Sequence, residues 1–192
     1  MKFTRRFAIG ITTAVALLAL QGTAQAEVEK VTIAVGGKSL FYYLPLTIAE
    51  QRGYFKEEGV NVEIVDFAGG SKALQAVVGG SADVVSGAYE HTIKLQGKKQ
   101  YFTAFVQQAR APQIVLAVST KTMPNYKTIA DLKGKKIGVT APGSSTNMVA
   151  SFVLDGAGVS SKEVSFIGVG AGSGAVAAMK TGQIDAIANL DP

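Results

Sequence analysis

Gly143, Ser144, Ser145 and Thr146 follow a short apolar run, Ile137 to Thr140, and a Pro142-Gly143 turn. The pattern reads as strand, tight turn, helix start. The first four N–H groups of a helix have no partner inside it. A Ser or Thr at the N-cap satisfies one of them. The others, with the positive end of the helix dipole, suit an anion. Gly143 lacks a Cβ, so a ligand can approach the backbone closely. Two readings stand side by side: a well-capped structural helix, or an anion cradle. Gly70-Ser71 and Gly172-Ser173 repeat the pattern. In open α/β sheets ligands sit at the carboxyl ends of the strands. Three Gly-Ser helix starts converging there would aim their N–H groups into one cleft.

Other side chains able to do chemistry are few. Ser39, Phe41, Tyr42 and Tyr43 follow the first apolar run, and Tyr89 follows the third. Such aromatics either fill a lobe core or wall a ligand, where Tyr offers an apolar face and a hydroxyl. His91 is the single histidine. Glu90 beside it suggests an acid/base pair, yet adjacent residues do not face each other on a helix, so His91 is expected as a surface residue at a helix start. Gly170-x-Gly172-x-x-Ala175 has the spacing of a dinucleotide fingerprint. It lies late in the chain, with one strand after it, and a nicotinamide enzyme is the weaker reading. No cofactor or metal is expected.

Alternating short elements must position these groups. Val31–Val35 is a buried-strand pattern ending at Gly36-Gly37. A helix over Leu44–Arg52 stops at Gly53, and Tyr54–Gly59 reads as a polar turn. Val60–Phe67 alternates as a strand. A helix over Lys72–Val78 closes at Gly79-Gly80, and Ala82–Ser86 is the next strand. Gly87–Gln96 is a turn and helix. Phe102–Gln107 and Ile114–Val118 are apolar strands flanking Pro112, and Thr128–Leu132 is a helical turn. Strand Val164–Val169, helix Ala175–Thr181 and strand Ile184–Asn189 complete the chain. Strands alternating with helices through short connections predict the α/β class with parallel sheets.

An internal repeat supports this. Shifted by 102 positions, Gly70, Ser71, Ala73, Ala76, Gly80 and Asp83 meet Gly172, Ser173, Ala175, Ala178, Gly182 and Asp185. Shared βα-loop grammar would give some of these matches; two βαβαβ units, about 31–96 and 135–189, give them all. The expected domains are a leader over 1–26, a first lobe over 27–108, and a crossing with the second lobe over 109–192.

Lys2, Arg5 and Arg6, the apolar run Ala8–Leu20, and Ala24-Gln25-Ala26 are the three parts of a secretory signal peptide. Thr4-Arg5-Arg6-Phe7 leaves Sec and twin-arginine export both open. Removing the leader takes Lys and Arg from 19 to 16 against 14 acids, so a net charge of +5 becomes +2. No basic block of the kind that binds nucleic acid remains. The chain has no Cys, which excludes disulfides, thiol catalysis and Cys-type zinc sites. It also excludes lipid attachment at an N-terminal Cys. A free, soluble, monomeric product in the periplasm is expected.

The run from Tyr43 to Val65, with LPLTIAEQRGYFKEEGVNVEIV, resembles the first lobe of periplasmic substrate-binding proteins of nitrate, sulfonate and taurine ABC importers. GSADVVSG (Gly80–Gly87), TIADLKGKKIGVTAPGSSTN (Thr128–Asn147) and GQIDAIANLDP (Gly182–Pro192) are similar to later segments of that family. Pyrimidine-precursor binders of thiamine salvage share the pattern. The resemblance implies a type II periplasmic binding fold, two lobes closing on a small solute, no catalysis, and delivery to a membrane permease. A sulfonate, taurine or nitrate-like anion is the expected solute, and a thiamine pyrimidine precursor or another small aromatic is the alternative. An enzyme of pyrimidine-precursor synthesis is a further, weaker reading, because the similar enzyme uses a Cys-rich segment. The expected ligand-binding residues are Ser39, Tyr42, Gly70, Ser71, Tyr89, Gly143, Ser144, Ser145, Thr146, Ser173 and Asp191. By resemblance Asp191 receives a ligand amino group, or else it caps a hinge. Two departures stand out. The family places an aromatic before the acid-proline pair, where this chain has Asn189-Leu190. It also continues past this point and returns to the first lobe, so a weakly closing chain with an open sheet edge is expected.

If the leader is cleaved after Ala26, the exported product begins at Glu27. Intact mass of the periplasmic fraction checks this; a membrane-bound form retaining Met1 contradicts it.

Overall fold

The computed structural model describes residues 30–190. The leader, Asp191 and Pro192 lie outside them. Two sheets form. The first orders β2 (Asn61–Phe67), β1 (Lys30–Gly36) and β3 (Val84–Ser86), all parallel. The second orders β4 (Ile114–Val118), β7 (Ala186–Leu190), β5 (Lys136–Val139) and β6 (Ser165–Gly168). There β6, β5 and β7 run parallel, and β4 is antiparallel to β7. Without β4, the order β6-β5-β7 reproduces β2-β1-β3. The repeat is therefore a repeat of topology. The antiparallel edge strand departs from the all-parallel expectation: β4 arrives along the crossing rather than through a helical βαβ connection, which alone enforces parallel pairing.

Helix α1 (Leu44–Arg52) ends on Gly53, which is left-handed at φ 80°. Tyr54–Glu57 forms a short helix, α2, rather than the polar turn expected, because Gly53 both ends α1 and starts the next turn. α3 (Gly70–Val78) and α6 (Ser173–Thr181) cover equivalent strands, and α4 (Glu90–Gln96) and α5 (Ser145–Gly156) follow β3 and β5.

Side-chain alternation explains the packing of β1 on both faces. Ile33 and Val35 pack with Tyr43 and Leu46 on one side. Ala34 packs with Ala73 and Ala76 of α3 on the other. In the second sheet Ile137 and Val139 pack with Ala150 and Leu154 of α5. Ala175 and Ala178 of α6 are buried like their counterparts in α3. The repeated alanines are thus the short side chains that let a helix lie close to its sheet.

The repeated aspartates also have a shared job. Asp83 Oδ2 accepts the Thr32 N–H at 2.8 Å while the Asp83 N–H donates to Thr32 O at 3.0 Å. Asp185 does the same with Lys136, at 2.9 and 2.8 Å. Each aspartate docks the third strand of its unit onto the first.

Phe102–Gln107 is not a strand; it carries no regular structure. Its apolar residues suit a strand, but no neighbour pairs with it, and Phe105 and Val106 stay exposed. A lone extended segment has no ladder to stabilise it.

Replacing Asp83 or Asp185 with Ala should cost about 1–2 kcal/mol each, a charged acceptor lost from a strand N–H. Urea unfolding measures it, and a cost at only one position would break the equivalence of the two units.

Candidate functional site

The start of α5 sets the site. Gly143 is left-handed at φ 80°, and its N–H donates to Asn147 Oδ1 at 2.9 Å. Ser144 takes the extended N-cap conformation, yet its hydroxyl caps nothing in its own helix. It reaches the other lobe instead, accepting the Ser71 N–H at 3.0 Å and donating to Ser71 Oγ at 3.1 Å. Ser71 Oγ donates to Pro142 O at 3.0 Å. Thr146 Oγ1 accepts the Thr140 N–H at 3.1 Å and lies 3.0 Å from Thr140 Oγ1. The hydroxyls of Ser71, Ser144 and Thr146 are thus engaged within the protein. Ser145 is half-buried, and its hydroxyl has no partner among the described residues.

Glycines allow the two lobes to meet backbone to backbone. A Cβ on Gly36 would lie 2.3 Å from Gly70 N, and one on Gly69 would lie 3.0 Å from Ala141 N. A Cβ on Gly37 would fall 2.5 Å from Ala171 Cβ. Asp66 Oδ1 accepts the N–H groups of Gly37 and Lys38, both at 2.8 Å, and holds that turn.

Between the lobes lies a cavity of about 240 Å³. Tyr42, Gly70, Tyr89, Ser145 and Thr146, all expected to bind ligand, line it. Five others take different places. Ser71 and Ser144 form the contact between lobes. Gly143 lines a separate surface groove with Asn147 and Phe152. Ser39 is exposed near Gly172, and Ser173 is exposed at the start of α6. Asp191 falls outside the described residues.

The cavity wall also includes Gly36, Tyr43, Glu90, Arg110, Pro112, Thr140 and Leu190. Arg110 went unnoticed in the sequence; its signal was a lone Arg beside Pro112 within the crossing. Tyr43 accepts the Gly36 N–H at 3.2 Å, and burial pushes its phenol up to about 12. The Tyr42 ring meets that of Tyr43 edge-on, centroids 5.0 Å apart. Its phenol is also raised, first by burial and then by the charge of Glu90.

His91 corrects an expectation. It is buried rather than on the surface, with Nε2 unpartnered. A Cβ on Gly70 would lie 3.4 Å from that atom, so the imidazole packs against the start of α3. Burial lowers its pKa, opposed by Glu90 and aided by Lys94. It stays neutral around pH 7. Among the described residues no cluster of three or more His, Cys, Asp or Glu could hold a metal ion, and no helix is long and apolar enough to cross a membrane.

Residues 40–191 match the model of the NMT1/THI5 like family. The chain belongs to that family. A solved protein of Bordetella bronchiseptica RB50 is 69% identical with a TM-score of 0.83, covering 85% of this chain and 51% of that one. The alkanesulfonate-binding protein SsuA from Xanthomonas axonopodis pv. citri, bound to MOPS, shares the fold at 23% identity and TM-score 0.61, over 85% and 55% of the two chains. The fold is the two-lobed α/β periplasmic binding architecture of type II. YtlA of Bacillus subtilis (strain 168) is 30% identical over 142 residues, 72% of this chain and 42% of its own length. The 4-amino-5-hydroxymethyl-2-methylpyrimidine phosphate synthase of Schizosaccharomyces pombe (strain 972 / ATCC 24843) is 26% identical over 111 residues, 57% of this chain and 31% of its own. The NMT1/THI5 like chain spans less than half the length of these two curated relatives.

The serine contact between the lobes is testable. A double-mutant cycle of Ser71→Ala and Ser144→Ala should show a coupling of about 0.5–1.5 kcal/mol in urea unfolding. Costs that simply add would mark the contact as incidental.

Proposed function

We propose that this protein is the extracytoplasmic solute-binding component of an ABC importer, taking a small anionic solute between its lobes. The solute is sulfonate, taurine or nitrate-like, and the partner is a permease in the inner membrane. The carrying observation is the interlobe cavity, in which Ser145 offers an unengaged hydroxyl beside the free N–H groups that begin α5. Those donors are fixed before the ligand arrives, so little ordering is needed to bind. The helix dipole adds to them. The likeness to SsuA supports the class of solute, and the signal-like residues 1–26 support delivery to the periplasm. Lobe closure around the solute is the mechanism, and no chemical step is assigned.

A second reading is a binder of a thiamine pyrimidine precursor. Tyr42 and Tyr89 on the cavity wall favour it, as does the relative named as a pyrimidine phosphate synthase. A thermal-shift panel of sulfonates, nitrate, carboxylates and pyrimidines separates the two readings.

Ser145→Ala removes a donor without removing the N-cap, which is Ser144. It should weaken binding of the best anion by about 1–3 kcal/mol, with an acceptor left unpaired, while the melting temperature barely moves. Calorimetry decides, and unchanged affinity would confine the start of α5 to a structural role.

A further inference from the structure

Two charged residues line the cavity, Glu90 and Arg110. They do not pair with each other or with any described residue; the described ion pairs are Lys30–Glu63, Lys38–Glu50 and Lys133–Glu163. A simple anion explains Arg110 and the start of α5. It does not explain a carboxylate in the same cavity, which would repel it.

Glu90 is half-buried, and its Oε1 is sealed from water with no hydrogen-bond partner. A carboxylate that has lost solvent on one oxygen without compensation is costly. It gains more than an exposed one from a cationic donor that approaches from the cavity. The aromatic residues stand on the same lobe. Tyr42 lines the cavity close enough for Glu90 to raise its phenol, and Tyr89 directly precedes Glu90 and also lines the space. A carboxylate beside aromatic rings is the setting that favours an ammonium group, through charge pairing and attraction to the ring faces. The cavity is then polarised. The first lobe supplies an acid and two rings, the second lobe the N–H groups and hydroxyl of α5, and the crossing a guanidinium. Its volume of about 240 Å³, at about 30 Å³ per water, corresponds to about eight waters. That suits a compact solute able to touch both walls.

We propose that Glu90, with Tyr42 and Tyr89, forms a subsite for a protonated amine, and that the solute is a small zwitterion rather than a simple anion. The inference rests on the anionic-solute reading above and adds the second charge. Glu90 is the residue that sets specificity; Ser145 and Arg110 hold the anionic end in either case.

The test is calorimetry on the full chain with matched probes, 2-aminoethanesulfonate against ethanesulfonate and 3-aminopropanoate against propanoate. Each pair differs in the amine alone. The wild type should bind the amino member of at least one pair roughly tenfold tighter or more, the expected effect of one charge-assisted contact. In Glu90→Gln that ratio should collapse toward one, and in Glu90→Asp, which keeps the charge on a shorter stem, part of it should survive. Equal binding of both members by the wild type overturns the amine subsite while leaving the anion reading intact. So does a ratio that persists in Glu90→Gln. If the wild type binds no probe of either kind, the anion reading fails and takes this one with it. The wild-type ratio decides even if Glu90→Gln does not fold.

Discussion

The structure turns on one close approach: the start of α3 against the turn before α5. Gly36, Gly69 and Gly70 allow backbone to touch backbone there, and any side chain at Gly36 would collide with main-chain atoms. Main chain cannot yield as a flexible side chain does. This contact puts the N-terminal end of a helix from each lobe beside the same space. It also determines where hydroxyls go. Ser144, placed to cap its own helix, is drawn across to Ser71, so the cap of α5 is exchanged for a bond between lobes.

That exchange bears on function. A protein that closes on a solute must favour the closed form enough to bind and not so much that the cleft shuts when empty. A ligand shifts such an equilibrium only by its differential affinity for the two forms. The Ser71–Ser144–Pro142 contacts favour apposed lobes without any ligand, but they are neutral hydrogen bonds of modest net value. They lower the cost of closing without removing the need for a solute. The glycine contacts limit how far the lobes can interpenetrate, so the cavity keeps its volume.

Much of the fold was legible because it is written in local chemistry. The strand β1, the helix stopped by Gly53 and the turn at Gly143 follow from apolar runs and glycines. The repeat was legible as spacing, and the structure supplies its cause: alanines for close helix-on-sheet contact, aspartates for docking the third strand. What was not legible depends on partners distant in sequence. Phe102–Gln107 has strand composition but no neighbouring strand. His91 looks like a surface histidine until the start of α3 covers it. Ser144 and Ser145 are adjacent and identical, and only the position of Ser71 decides which hydroxyl is used up. Glu90 and Arg110 belong to no motif, and the cavity they line exists only once both lobes and the crossing are in place.

Why the site uses backbone donors where a lysine would be stronger follows from electrostatics. A flexible ammonium loses side-chain entropy when it is fixed on an anion. Helix N–H groups are already ordered, and their partial charges are spread over several atoms. They bind an anion without leaving a full charge uncompensated when the cleft is empty, which a solute carrier must tolerate on every cycle. Glu90 breaks this economy, since its carboxylate remains in the empty cavity with one oxygen unpaired. A protein that otherwise avoids uncompensated charge at this site keeps one where a partner is supplied from outside. An ammonium on the solute supplies it, so the feature that is unfavourable in the empty cleft becomes the feature that discriminates when the cleft fills.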